Sequence, residues 1–150
     1  MKVALVHDWL DGYRGGERVL EAFASFFPEA PIFTLFLDLN KLPDAFSNRK
    51  IYYPSILNHF KYFRKYLLPV LPSVIESMDL QEFDLIISSS SCVAKGVISN
   101  PYAKHICYIH TPMRYIWDQC FQYEGQLQKI PPLKFVFSIL MNQLRQWDTI

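Results

Sequence analysis

Gly15 and Gly16 follow an apolar run and a polar loop, and an amphipathic stretch opens at Glu17. Strand, glycine-rich turn, helix is the order by which α/β proteins bring backbone N–H groups up to a phosphate. The helix start adds partial positive charge at that point. The spacing fits neither GxGxxG nor the P-loop. A tight βα connection with a glycine at positive φ would read the same way. Glu17 carries two readings as well. A first-turn carboxylate steadies the helix dipole, and a carboxylate facing a crevice can accept from a sugar hydroxyl.

Two further stretches end apolar runs with polar side chains. Ser88 to Ser91 follow Phe83-Asp-Leu-Ile-Ile, and His110-Thr111-Pro112 follow His105 to Ile109. With His7-Asp8 they form three strand ends. Ligands of doubly wound sheets bind outside such carboxyl ends, so all three are expected to face one crevice. The serines, Ser89 among them, serve equally as helix-capping loop hydroxyls. His110 is the sharper candidate. Pro112 forces Thr111 into extended backbone, which aims the preceding side chains outward, and an imidazole there can donate to a hydroxyl or a charged oxygen.

Residues 56–68 combine aromatic side chains with Lys61, Arg64 and Lys65. Ile56, Phe60, Phe63 and Leu67 share one face of a predicted helix; the basic residues lie on the other, with Leu57 and Leu68 beside them. An ordinary helix with a solvated charged face fits. So does a helix lying on an anionic membrane surface, where each basic residue contributes ~1 kcal/mol.

These residues need a scaffold, and the hydrophobic pattern supplies one. Lys2 to Val6, Pro31 to Leu37, Lys50 to Tyr53, Phe83 to Ser88 and His105 to Ile109 read as strands. Leu20, Phe23, Ala24 and Phe27 mark a helix from Glu17 that Pro28 closes. A short helix is expected after Pro69 and Pro72, running to about Met78. Others are expected over Cys92 to Ile98, Met113 to Tyr123 and Leu133 to Trp147. The last has Leu133, Val136, Phe137, Leu140, Leu144 and Trp147 on one face, opened by Pro131-Pro132. The alternation predicts a Rossmann-like α/β fold, a parallel sheet with helices on both faces.

With 150 residues, 51% of them hydrophobic, the chain can bury a true core as one domain. A net charge of +1 gives no global field for nucleic acid, and none is expected as a partner. Cys92, Cys107 and Cys120 are odd in number and lack CxxC spacing. They read as reduced cytosolic thiols, with no metal framework. The N-terminus lacks the apolar core and cleavage site of a signal peptide. No stretch reaches the ~18 apolar residues a membrane span needs. A cytoplasmic protein is expected, with peripheral contact at the inner membrane face as an option. The chain stops after Trp147-Asp-Thr-Ile150 with no C-cap glycine, which reads as a cut.

Four segments together resemble the N-terminal, acceptor-side domain of a family 4 GT-B glycosyltransferase. They are Lys2-Val-Ala-Leu-Val-His-Asp-Trp-Leu10, Gly15-Gly-Glu-Arg-Val-Leu20, Phe83-Asp-Leu-Ile-Ile-Ser-Ser89 and Tyr108-Ile-His-Thr-Pro-Met-Arg-Tyr-Ile-Trp-Asp118. They agree in order and spacing and look like the branch that adds sugars, often mannose, to polysaccharide or lipid-linked precursors. The resemblance implies a retaining transfer from a nucleotide-sugar, used as substrate with no cofactor and no metal, to a saccharide or polyprenyl-linked acceptor. Gly15 and Gly16 would approach the donor diphosphate and His110 the transferred sugar. Asp8, Glu17, Ser89, Arg114 and Asp118 would lie on the acceptor side. The family's donor-binding half, with its pair of glutamates separated by seven intervening residues, has no counterpart here. Glu21 and Glu29 have that spacing by coincidence, since they straddle Pro28 on the first helix and its exit. Residues 1–150 are therefore expected to be inactive without that second, C-terminal domain.

Two other classes stay open. One is a non-catalytic Rossmann-like domain docking on a membrane or a lipid-linked acceptor. The other is a nucleotide-dependent epimerase or dehydrogenase, disfavoured by the missing GxGxxG.

Overall fold

The computed structural model describes residues 1–111, 113, 114, 116, 117 and 131–149. Five strands run in parallel: β1 (Val3–Leu10), β2 (Ile32–Leu37), β3 (Ile51–Tyr52), β4 (Leu85–Ser90) and β5 (Lys104–Ile109). Their order is β3-β2-β1-β4-β5. The helices are α1 (Gly15–Phe26), α2 (Ser55–Asn58), α3 (Arg64–Leu67), α4 (Leu71–Glu76) and α5 (Pro131–Asp148). This is the expected Rossmann-like α/β fold.

Both faces of the sheet are covered, which is why the central strands read as apolar runs instead of alternating. Leu5, Ile32 and Ile87 face α1, where Leu20 and Ala24 meet them. Ala4, Val6, Leu35 and Ile86 face the other way, onto Leu71 and Ile75 of α4 and Met141 and Leu144 of α5. The chain leaves β1 over the α1 face and leaves β4 over the opposite face. β1 and β4 are neighbours, so the crevice expected of a doubly wound sheet opens between their carboxyl ends.

Four expectations need correction. β1 continues to Leu10, past the predicted end at Val6, with His7 and Asp8 buried inside it. Polar residues can stay in a central strand when each finds a partner, and both do. Ser88, Ser89 and Ser90 are likewise buried strand residues, not a loop. Cys92 to Ile98 holds only a single 3-10 turn, Ala94–Gly96.

The fourth correction concerns residues 56–68, which break into α2, a 3-10 turn (Lys61–Phe63) and α3. Tertiary anchors override the helical pattern. The Asn58 side chain accepts from the Leu37 N–H at 2.9 Å and donates to its carbonyl at 3.1 Å. Lys61 and Arg64 are drawn to carboxylates elsewhere in the chain. The predicted core face is consequently turned outward: Ile56, Phe60 and Phe63 are exposed, while Leu57, Leu67 and Leu68 pack on the core.

Helix α5 agrees with the expected Leu133 to Trp147 helix. Its buried stripe uses Met141, Leu144 and Trp147, and Val136 is exposed. Of the predicted Met113–Tyr123 helix, Met113 and Ile116 are buried in a turn. Tyr115 and residues 118–123 lie outside the described residues, as does Cys120. Cys92 is buried and Cys107 half-buried. Among the described residues, no helix is long and apolar enough to cross a membrane.

Candidate active site at the carboxyl rim of the sheet

Helix α1 starts directly at the glycine pair. Its first intrahelical bond runs from the Arg18 N–H to the Arg14 carbonyl at 3.1 Å. The N–H groups of Gly15, Gly16 and Glu17 therefore precede the helical ladder and point out of its end. Neither glycine has positive φ, so the turn does not need glycine for its backbone angles. Space decides instead. A Cβ on Gly15 would meet nothing within 4 Å, whereas one on Gly16 would lie 3.3 Å from His7 Cε1 and 3.7 Å from His110 Nε2. Gly16 lets two imidazoles from two strands close on the helix start.

Those imidazoles are joined through Ser89. The His7 Nδ1–H donates to the Ser89 carbonyl at 2.8 Å. Burial holds His7 below its ordinary pKa, although the Asp8 and Glu17 carboxylates pull the other way. A neutral ring with Nδ1–H committed leaves Nε2 as a lone-pair acceptor. The Ser89 hydroxyl lies 2.8 Å from His110 Nε2, a contact across which one proton is shared. Tyr108 meets the His110 ring edge-on at 4.9 Å, and Phe23 of α1 meets Tyr108. His110 is thus held from the strand side and the helix side at once, and it remains part-exposed.

Two of the three predicted acceptor-side carboxylates, Asp8 and Glu17, are engaged within the chain. Asp8 is wholly buried. Its Oδ2 accepts from the N–H groups of Ser91 at 2.6 Å and Cys92 at 2.8 Å, and its Oδ1 from those of Val93 and Ala94, both at 2.7 Å. This carboxylate turns the chain leaving β4 toward the far face. Glu17, also buried, accepts from the Arg14 N–H at 2.8 Å and so ties down the helix entry. The structure gives both residues architectural contacts, which for Glu17 is the helix-start reading.

Ser89 and His110 do meet at the rim with Gly16, as their strand-end positions predict. Arg114 is exposed on the following turn. Asp118 lies outside the described residues. Lys61 Nζ pairs with Asp38 at 2.9 Å, and Arg64 pairs with Asp11. These two are not a free basic face, and the side chain of Lys65 lies outside what is described. Lys61 lowers the Asp38 pKa and is itself raised in return.

The residue that sequence reasoning passed over is His7. Its signal was a histidine inside an apolar run, at a position paired with Ser89 across β1 and β4. Among the described residues, no three His, Cys, Asp or Glu side chains converge as a metal site needs. The rim offers backbone donors at a helix start, a neutral imidazole and a serine-linked imidazole. That set suits an oxyanion held beside a hydroxyl-bearing group. No family model matches the chain, and no curated protein or solved structure matches it.

Proposed function

We propose that residues 1–150 form the N-terminal, acceptor-side part of a retaining glycosyltransferase. It would move a sugar, mannose being the branch's common cargo, from a nucleotide-sugar to a polysaccharide or lipid-linked acceptor. The observation that supports this most is the approach of Gly16 to both His7 and His110 at the mouth of α1. In such a transfer the leaving nucleoside diphosphate gathers negative charge. The N–H groups of Gly15 and Gly16, aimed beforehand along the helix axis, stabilise that charge as the bond breaks. His110, steadied by Ser89 and Tyr108, orients a hydroxyl of the sugar. His7 accepts from a second donor or sets the wall behind the glycine. Asp8 and Glu17 are occupied by backbone N–H groups, so neither is free to attack as a nucleophile. Base and sugar selection belong to a second, donor-binding domain.

Transfer of labelled sugar from UDP-, GDP- and dTDP-sugars to polyprenyl-linked and saccharide acceptors tests this. Residues 1–150 supplied with a donor-binding domain should turn over, and residues 1–150 alone should not. Gly16→Val and His110→Ala should each lower kcat by roughly 10² to 10³. Full activity in both variants overturns the site, and sustained transfer by the 150-residue chain alone overturns the division of labour.

A further inference from the structure

A second cleft lies on the same rim, beyond β1 and β2. Asp11, Arg14, Lys41, Lys61, Tyr62 and Arg64 line it, and it encloses about 250 Å³. The four cations come from three separate parts of the chain: the loop after β1, the turn after β2, and residues 61–64. Among the described residues, two carboxylates pair with them. Lys41 and Lys61 share one oxygen of Asp38, at 3.4 and 2.9 Å, and Arg64 pairs with Asp11. Among the described residues, Arg14 has no ion-pair partner. Four positive charges against two negative ones leave the cleft with a surplus of two. Walls of one sign focus the field inside such a cleft and select an anion.

One wall bears on the kind of anion. Tyr62 lines the cleft and is itself 77% exposed; on the same segment Ile56 is 79%, Phe63 61% and Tyr66 65% exposed. Large apolar side chains clustered on a surface beside cations suit the boundary between acyl chains and headgroups.

We infer that this cleft holds the headgroup of an anionic phospholipid at a bilayer surface. The phosphate sits among Arg14, Lys41, Lys61 and Arg64, and the 56–66 aromatics dip into the interface. The inference does not depend on sugar transfer. It differs from a basic helix face lying on lipid, because the helix is broken and its cations wall a pocket that Arg14 and Lys41 complete.

Flotation of the 150-residue chain with vesicles tests it, using phosphatidylcholine alone or mixed with phosphatidylglycerol. Binding to the mixed vesicles and not to the neutral ones is expected at low salt, falling at 0.5 M salt. The double variant Arg14→Glu, Lys41→Glu leaves the closer pairs Lys61–Asp38 and Arg64–Asp11 in place and should weaken binding by at least about 30-fold, since each basic residue near an anionic surface is worth about 1 kcal/mol. Tyr62→Ser with Phe63→Ser should weaken it independently, with the circular dichroism spectrum unchanged in both pairs. Equal binding to neutral vesicles, no binding at low salt, or undiminished binding by the Arg14 and Lys41 variant overturns the inference. Competition by millimolar glycerol phosphate is expected, since it is the headgroup of phosphatidylglycerol; binding of glycerol phosphate by a chain that does not float with the mixed vesicles would assign the cleft to a soluble phosphoester and overturn the lipid assignment.

Discussion

Gly16 and His110 are 94 positions apart in sequence, yet a single methyl group added to Gly16 would come within 3.7 Å of His110 Nε2. The contact exists because α1 starts beside β1, while β4 carries β5 on its far side. Gly15, the adjacent residue, borders open space. Alanine at 15 gains helix propensity and should leave stability unchanged or raised by up to about 1 kcal/mol. Alanine at 16 gains the same propensity but presses on His7, which is buried and tied to the Ser89 carbonyl. The expected result is a Gly16→Ala protein about 1–2 kcal/mol less stable than Gly15→Ala by urea denaturation. Equal midpoints would show that His7 yields freely and that the close approach is not a constraint.

Asp8 makes a second prediction. Its two oxygens accept four backbone N–H groups from consecutive residues, 91 to 94. Asparagine is nearly the same size but turns an N–H₂ toward at least one pair of those donors. Buried N–H groups would lose a charged acceptor and face another donor, at about 1–3 kcal/mol for each group left unmet. Asp8→Asn should therefore lose at least about 3 kcal/mol, a large share of the ~5–15 kcal/mol that holds a domain folded. Denaturant titration at neutral pH reads this directly. A loss below 1 kcal/mol would mean the segment after β4 is positioned by its apolar packing alone.

The histidines give the pH dependence its sign. Burial lowers the pKa of both His7 and His105 from an ordinary 6.5. Protons therefore bind the unfolded chain more readily than the folded one just below that value. Stability is full above about pH 6.5 and falls as pH drops from there toward the folded-state values, by at most about 1.4 kcal/mol per pH unit per histidine. Cys107 acts in the opposite range. Burial raises its thiol above the ordinary 9.0, so stability is full below that pH and is lost as pH climbs toward the folded-state value. Urea midpoints from pH 4.5 to 7.5 should rise with pH, and the slope should shrink in His7→Gln. An unchanged slope in that variant would remove His7 as a source of the acid sensitivity.

The fold was legible because apolar runs and helical periodicity repeat often enough to outvote local exceptions. The exceptions share one cause. His7, Asp8 and Ser88 to Ser90 look like strand-end or loop residues when polarity is read alone. His7, Asp8, Ser88 and Ser89 are each met by a partner 17 to 86 positions away, and such pairing leaves no local trace in the sequence; Ser90 is buried with its hydroxyl unpaired among the described residues. Residues 56–68 failed for the same reason. Their helical pattern is genuine, but Asp11, Leu37 and Asp38 pull Arg64, Asn58 and Lys61 in directions one straight helix cannot satisfy. At the site, strand-end position was enough to bring Gly16, Ser89 and His110 together. It gave no warning that Asp8 would be used up by backbone donors, whereas the first-turn position of Glu17 already allowed the helix-start role it takes.

Arg49 offers a test of how α1 is held at its far end. The helix ends without a glycine cap or a basic residue in its last turn. Its terminal carbonyls would be left to solvent, except that the Arg49 guanidinium arrives from the loop before β3. It donates to the carbonyls of Phe27 at 2.9 Å and Pro28 at 3.0 Å, and also to that of Ala24. A planar fork with several N–H donors can serve three acceptors spread over one turn, and its charge sits at the negative end of the helix dipole. Lysine brings the charge but one donor centre. Arg49→Ala should lose about 2–3 kcal/mol and Arg49→Lys roughly half of that, measured by thermal or urea unfolding. Amide exchange in Ala22 to Phe27 should quicken in Arg49→Ala while the strand amides of β1 and β4 keep their relative protection. If lysine restored full stability, the charge alone would be what matters, and the three-carbonyl contact would be incidental to how the helix that carries Gly16 is anchored.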